Sequence, residues 1–195
     1  MTSRARKWYP NSVYHVTARG NRKSNIFKEE EDFRTYLTIL EDAIEYFNGQ
    51  YEIMCYCLMD NHVHILLKTK IKHIKYFISR LNSIYAKFFN NKYNYLGHLY
   101  QKRYFSELIR SDLQMLETSR YIHLNPIKAN MVKKPDEYKW SSYSMYIGKE
   151  KERLINSQKI LAYFKKDNQR ELYRKFVESR VEQICSHTGS ESSNS

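Results

Sequence analysis

Cysteine is scarce in this sequence, with only Cys55, Cys57 and Cys185 among 195 residues. An odd count without a framework of spacings argues against a disulfide scaffold and for reduced thiols. Cys55 and Cys57 lie two apart in an apolar segment and read as core on one face of a strand. No apolar run approaches the ~20 residues that cross a bilayer. The start, Met1-Thr2-Ser3-Arg4 leading to Trp8-Tyr9-Pro10, lacks the apolar stretch of a secretory signal. These absences point to a cytoplasmic protein with no membrane partner. The glycines (20, 49, 97, 148 and 189) are scattered, so no Gly-rich loop cradles a nucleotide phosphate.

Acidic residues are also few. They number 21 against 33 Lys plus Arg, a net charge of +12. The imbalance is local: Lys68 to Arg110 holds ten basic residues and one acid, Glu107. Tyr76, Tyr85, Phe88, Tyr100 and Tyr104 are interleaved with them. Such segments suit a polyanion with stackable bases; a solvated basic surface is the plainer alternative.

Ser12 to Arg19 reads as a strand closed by Gly20-Asn21. Glu29 to Asp32 opens a helix whose apolar face runs Phe33, Tyr36, Leu37, Leu40, Ala43, Ile44 and Phe47, ending at Asn48-Gly49. Tyr51–Met59 and His62–Lys68 read as strands joined at Asp60-Asn61. A helix carrying Ile74, Phe77, Ile78 and Leu81 follows, then a strand over Leu99–Ile109. Ser111 and Gln114 form a capping-box pattern for a helix expected to stop near Asn125, before Pro126. This order predicts an α+β fold of ferredoxin-like or RRM-like type, an antiparallel sheet with helices on one face. The expected organisation is a main domain over 1–148, a short helical C-terminal extension over 149–185, packed on the domain or on DNA, and a disordered Ser-rich tail over 186–195.

On a strand, His62 and His64 share one face while Val63, Ile65 and Leu67 take the other. Two imidazoles so placed can hold one divalent ion, or can be ordinary hydrogen-bonded histidines. A two-residue turn at Asp60-Asn61 puts Cys57 opposite His64, which leaves a structural zinc site open. On the helix after Ser111, Gln114, Thr118, Tyr121 and Asn125 line one polar side, with Leu113, Leu116 and Leu124 on another. The carboxamide of Asn125 could complete a coordination set begun by the histidines.

His62-Val63-His64 and Tyr121-Ile122-His123-Leu124-Asn125-Pro126 together resemble the HUH-type single-tyrosine transposases. The nearest branch is that of the REP-associated tyrosine transposases, relatives of small insertion-sequence transposases. Tyr14-His15-Val16-Thr17-Ala18-Arg19-Gly20-Asn21, Gln101-Lys102-Arg103-Tyr104-Phe105 and Trp140-Ser141-Ser142-Tyr143 extend the resemblance from about Trp8 to Tyr143. The family often has proline where this chain has Asp60, a difference expected to affect turn geometry only.

The resemblance implies Tyr121 as nucleophile, His62 and His64 as metal ligands, and Asn125 as third ligand, where related branches use glutamine. It implies a Mg or Mn ion, single-stranded DNA often beside a hairpin, and a monomer or a homodimer that exchanges the tyrosine helix. It further implies a 5′-phosphotyrosine intermediate that permits rejoining. Arg19, Lys70, Lys72, Lys75, Arg80, Lys102 and Arg103 are candidates, as a group, for backbone contacts. His123 is a candidate acid/base helper, with a packed or capping histidine as the alternative. Two rivals remain: a non-catalytic regulator that grips DNA or RNA hairpins, and a metal-dependent nuclease that uses water.

Overall fold

The β-branched and aromatic run Val13–Arg19 makes the first strand, β1, and the computed structural model describes residues 8–184 around it. The chain continues through α1 (Glu30–Tyr46), β2 (Tyr51–Met59), β3 (His62–Thr69), α2 (Ile74–Tyr93), β4 (Phe105–Ile109) and α3 (Asp112–Lys128). The sheet order is β2-β3-β1-β4 and every pairing is antiparallel. That is the expected α+β, ferredoxin-like arrangement. The expected disordered tail over 186–195, and Cys185, lie outside the described residues.

α1 and α2 cover one face, where Tyr36, Leu40, Phe77, Leu81 and Tyr85 meet Val16, Ile65 and Leu67 in the first core. Each large side chain so buried contributes ~1.5–3 kcal/mol. Asp32 links the two helices. It is fully buried, accepts from the backbone of Lys28 at 2.7 Å, and meets Lys92 Nζ and Tyr93 Oη, both at 2.8 Å. α1 ends as its sequence predicts, with Asn48 at φ 46° and Gly49 at φ 70°.

The expectation of helices on one face holds for α1 and α2, but the opposite face is not left to solvent. There α3 packs with the short helices α4 (Tyr143–Tyr146), α5 (Gln158–Leu161) and α6 (Gln169–Glu178). A second core forms from Met54, Cys55, Cys57 and Leu66 of the sheet, Ile122 and Leu124 of α3, and Tyr143, Tyr146, Leu161, Tyr173 and Val177 beyond. The extension therefore packs on the domain. A register shift between Ile53 and Cys55 puts both Met54 and Cys55 on this second face.

Two boundaries differ from expectation. Only Phe105–Ile109 pairs as a strand, while Leu99–Tyr104 is a loop held just past β1 by an isolated bridge, Gly20 to Tyr100, with Gln101 N donating to Arg19 O at 3.0 Å. The helix expected to stop at Asn125 runs through Pro126 to Lys128. At its start Ser111 Oγ accepts from Gln114 N at 3.1 Å, and Gln114 Oε1 reaches back to Arg110 N at 2.8 Å. Leu113 is exposed rather than part of an apolar side.

Candidate active site

The pleat of the sheet decides which side chains meet α3. His62 and His64 on β3 face the same way as His15, Thr17 and Arg19 on β1, because Thr17 pairs with His64 and Arg19 with His62. α3 brings Gln114, Thr118, Tyr121, Asn125 and Lys128 to them on successive turns. With Phe105 and Glu107 of β4, these residues line one cleft of about 1300 Å³. A pocket for a small ligand is typically ~300–1,000 Å³, so this cleft suits a segment of a polymer.

Hydrogen bonding fixes which nitrogen His62 offers. His62 Nδ1 is 2.5 Å from Asn61 Oδ1, which only accepts, so Nδ1 carries the hydrogen and Nε2 keeps its lone pair. His64 Nδ1 lies 2.9 Å from His15 Nε2 and 3.2 Å from Thr17 Oγ1. His64 Nε2 is buried and has no hydrogen-bond partner. The His62 and His64 ring centroids are 4.8 Å apart, nearly perpendicular at 83°.

Both imidazoles are neutral at neutral pH. Burial, with Arg19 adding, lowers His62 to about 4. Burial first, then the charges of His62, His15, Arg19 and Lys128, lower His64 to about 2. Burial also lowers His15, against the opposing pull of Glu107, its cross-strand partner on β4.

Neutral imidazoles with free Nε2 atoms, one of them buried and unsatisfied, fit a divalent cation. Among the described residues no three of His, Cys, Asp and Glu converge as a metal set. Asn125, expected as a third ligand, is on the cleft wall. Pro126 lacks the N–H that would bond the Ile122 carbonyl. The Asn125 side chain stands in, with Nδ2 2.9 Å from Tyr121 O and 3.5 Å from Ile122 O. With its nitrogen committed to the helix, the carboxamide keeps Oδ1 as its free acceptor.

Tyr121 meets the histidines of its own chain. Its ring centroid is 5.5 Å from that of His64 at 89°, and 5.9 Å from that of His15. The side chain is 40% exposed. Lys128 Nζ lies 4.3 Å from the ring centre.

Other expectations fare differently. His123 points away from the cleft into the second core. It is fully buried, with Nδ1 2.8 Å from Tyr173 Oη and Nε2 2.9 Å from Ser142 Oγ. Burial lowers it to about 3, and it has no path to a substrate, so the packed-histidine alternative describes it and the helper role is withdrawn.

Cys57 does pair with His64, and its thiol is buried beside Met59 Sδ at 3.6 Å. Among the described residues no group of three His, Cys, Asp or Glu brings further zinc ligands to them. Cys55 and Cys57 are free, buried core residues.

The basic group divides. Arg19, Lys102 and Arg103 line the cleft, and the latter two also line a second groove with Lys75 and α2. Lys70, Lys72 and Arg80 line neither. Lys70 follows the far end of β3, roughly 25 Å along the strand from His62. Lys72 and Arg80 lie against Phe47 and Tyr46, at 5.5 and 3.7 Å from the ring centres.

Sequence reasoning missed His15 and Thr17, although their alternation with Arg19 on β1 marked one face. It missed Lys128 because the helix was ended one turn early.

Residues 9–125 match the protein family described as IS200-like transposase. A Haemophilus influenzae protein described as a REP-associated tyrosine transposase is 25% identical over 130 residues, 56% of this chain and 72% of that one. Among solved structures, a REP-associated tyrosine transposase bound to a REP hairpin superposes with a TM-score of 0.64 at 15% identity, covering 82% of this chain and 93% of that one. At that identity the superposition speaks for the fold. Among the described residues no helix is long and apolar enough to cross a membrane.

Proposed function

The chain belongs to the IS200-like transposase family, and from that premise we propose that it cuts and rejoins single-stranded DNA by transesterification, with Tyr121 as nucleophile. The observation that carries this reading is the edge-on approach of Tyr121 to His64, 5.5 Å between ring centres, beside an unsatisfied Nε2. In this reading Tyr121 works with the histidines of its own chain, which it faces, and each copy holds a complete site.

His62, His64 and Asn125 would hold a divalent cation, magnesium or manganese. Bound there, it would offset charge on the non-bridging oxygens of the scissile phosphate. Asn61 and His15 keep the two Nε2 lone pairs directed outward. The phenol oxygen of Tyr121 bonds to phosphorus, the bond from phosphorus to O3′ breaks, and the phenolic proton ends on the departing 3′-hydroxyl. A 5′-phosphotyrosine remains. One phosphodiester replaces another, so the same residues run the step backwards and join a strand. In the joining direction the phenol oxygen is the leaving group, and Lys128, 4.3 Å from the ring centre, supplies positive charge near it as negative charge builds there. The solved relative's REP hairpin makes a hairpin-flanked single strand the substrate class to test first.

The test is a labelled hairpin oligonucleotide with a single-stranded flank, incubated with Mn²⁺. A covalent protein–DNA band that disappears in Tyr121→Phe is the expected result. Tight binding without a band would favour a hairpin-gripping regulator, and cutting that survives Tyr121→Phe would favour a nuclease using water.

A further inference from the structure

We propose that Phe105 is a stacking platform for one unpaired nucleobase of the strand lying in the catalytic cleft. This rests on the reading that the cleft takes single-stranded DNA. One row of paired residues crosses the sheet: Cys57 to His64, His64 to Thr17, Thr17 to Phe105. Cross-strand partners share a face, so Phe105 stands on the catalytic side. It is two strands from His64, about 10 Å at ordinary strand spacing. That distance is one or two nucleotides along an extended strand.

The fold gives no reason for a phenyl ring there. Phe105 is 60% exposed and belongs to neither core, while its neighbour Tyr104 turns inward to the first one. It sits on β4, the edge of the sheet, where exposed apolar side chains are a hazard that natural edge strands avoid. Arg19 and Lys102, both exposed, line the same cleft. An aromatic face for a base flanked by cations for the backbone is the arrangement that holds single strands without reading their sequence. A base laid on Phe105 would cover the ring and carry the adjoining phosphodiester toward Thr17 and His64.

The experiment uses oligonucleotides in which 2-aminopurine is walked one nucleotide at a time across the flank, bound to the full chain carrying Tyr121→Phe, without added metal. Stacking quenches its fluorescence. Quenching at one position or two adjacent ones is expected. Adding Phe105→Ala should remove it and weaken binding about tenfold, and Phe105→Trp should restore both. An abasic site at the quenched position should weaken binding to the parent protein and add little in Phe105→Ala. Unchanged affinity and unchanged quenching in Phe105→Ala would overturn the platform. If the protein with Tyr121 intact still forms its covalent band, the transesterification reading survives that result; if no strand binds at all, both fall.

Discussion

The imidazoles of His15 and His64 are joined Nε2 to Nδ1 at 2.9 Å, with ring centres 5.1 Å apart. For His64 to present a lone pair at Nε2, its hydrogen must be on Nδ1, so His15 acts as the acceptor that sets this tautomer. His15→Phe should lower Mn²⁺ affinity by about 10–100-fold, the usual effect of losing an orienting partner. Titration of Mn²⁺ followed by electron paramagnetic resonance reads this directly. Hairpin affinity without metal should be unchanged in the same variant; an equal loss there would assign His15 to the DNA grip.

In the proposed site Asn125 would have two tasks on one amide. Asn125→Ala should lose metal affinity, and by uncovering the Ile122 carbonyl beside Pro126 should cost about 1 kcal/mol of stability. Asn125→Gln separates the tasks: its longer arm can supply a carbonyl oxygen but no longer fits the Tyr121 carbonyl in the same way. Denaturant unfolding and metal titration on both variants measure the two effects independently.

His123→Ala removes a buried partner from both Tyr173 and Ser142. A loss of about 2–4 kcal/mol is expected from the cavity and the unsatisfied hydroxyls. Adduct formation per folded molecule should be retained. A folded variant unable to form the adduct would return His123 to the chemistry.

Asp32 ties the start of α1 to the end of α2. Burial alone would raise its pKa, but Lys92, the Lys28 and Glu29 amides and Tyr93 outweigh burial and lower it. A carboxylate lowered by folding contributes its stability in full above the unfolded value near ~3.9 and loses it as pH falls through the folded value. The wild type should therefore lose stability in this acid window by more than Asp32→Asn does. Asp32→Ala leaves Lys92 its partners Glu29 and Glu31 but removes the acceptor of Tyr93 Oη and of the Lys28 and Glu29 amides, and should cost about 1–3 kcal/mol near neutral pH. Thermal melts between pH 2 and 7 test both statements.

Salt should separate the two groups of cations. Each phosphate neutralised on a single strand contributes about −0.7 to the slope of log affinity against log salt. Arg19→Ala and Lys102→Ala should each make the slope shallower by about that amount. Lys70→Ala and Arg80→Ala, which line neither groove, should leave it unchanged.

The sheet and its two covering helices were legible because periodicity carries them, while the meeting of Tyr121 with the paired histidines was implied by the family resemblance. The first half of β3 alternates from His62 to Ile65, and the polar stripe of α3 is spaced by turns of a helix. The second core was harder to read. Its signal was the unbroken apolar stretch Ile53-Met54-Cys55-Tyr56-Cys57-Leu58-Met59, since a strand without alternation is covered on both faces. The extra residue at Met54 blurred it further. The end of α3 was misjudged because Pro126 ordinarily argues against continuation, and nothing local announced that Asn125 would take over the missing donor. His123 lies two residues from Tyr121, about 200° around the helix, which put it on the far side; only the partners supplied by Ser142 and Tyr173 revealed what that side contacts.

The match to the family ends at residue 125, yet the back of the tyrosine helix is sealed by Tyr143, Tyr146, Tyr173 and Val177. A shortened protein stopping at that boundary would keep His62, His64, Tyr121 and Asn125 but lose Lys128 from the cleft and the wall behind it. Met54, Cys55 and Leu66 would then face water, and the helix would have little to lean on. Trimming from this end is therefore expected to fail through insolubility before it fails through chemistry, and the distal segment has to be retained when the catalytic unit is transplanted or fused.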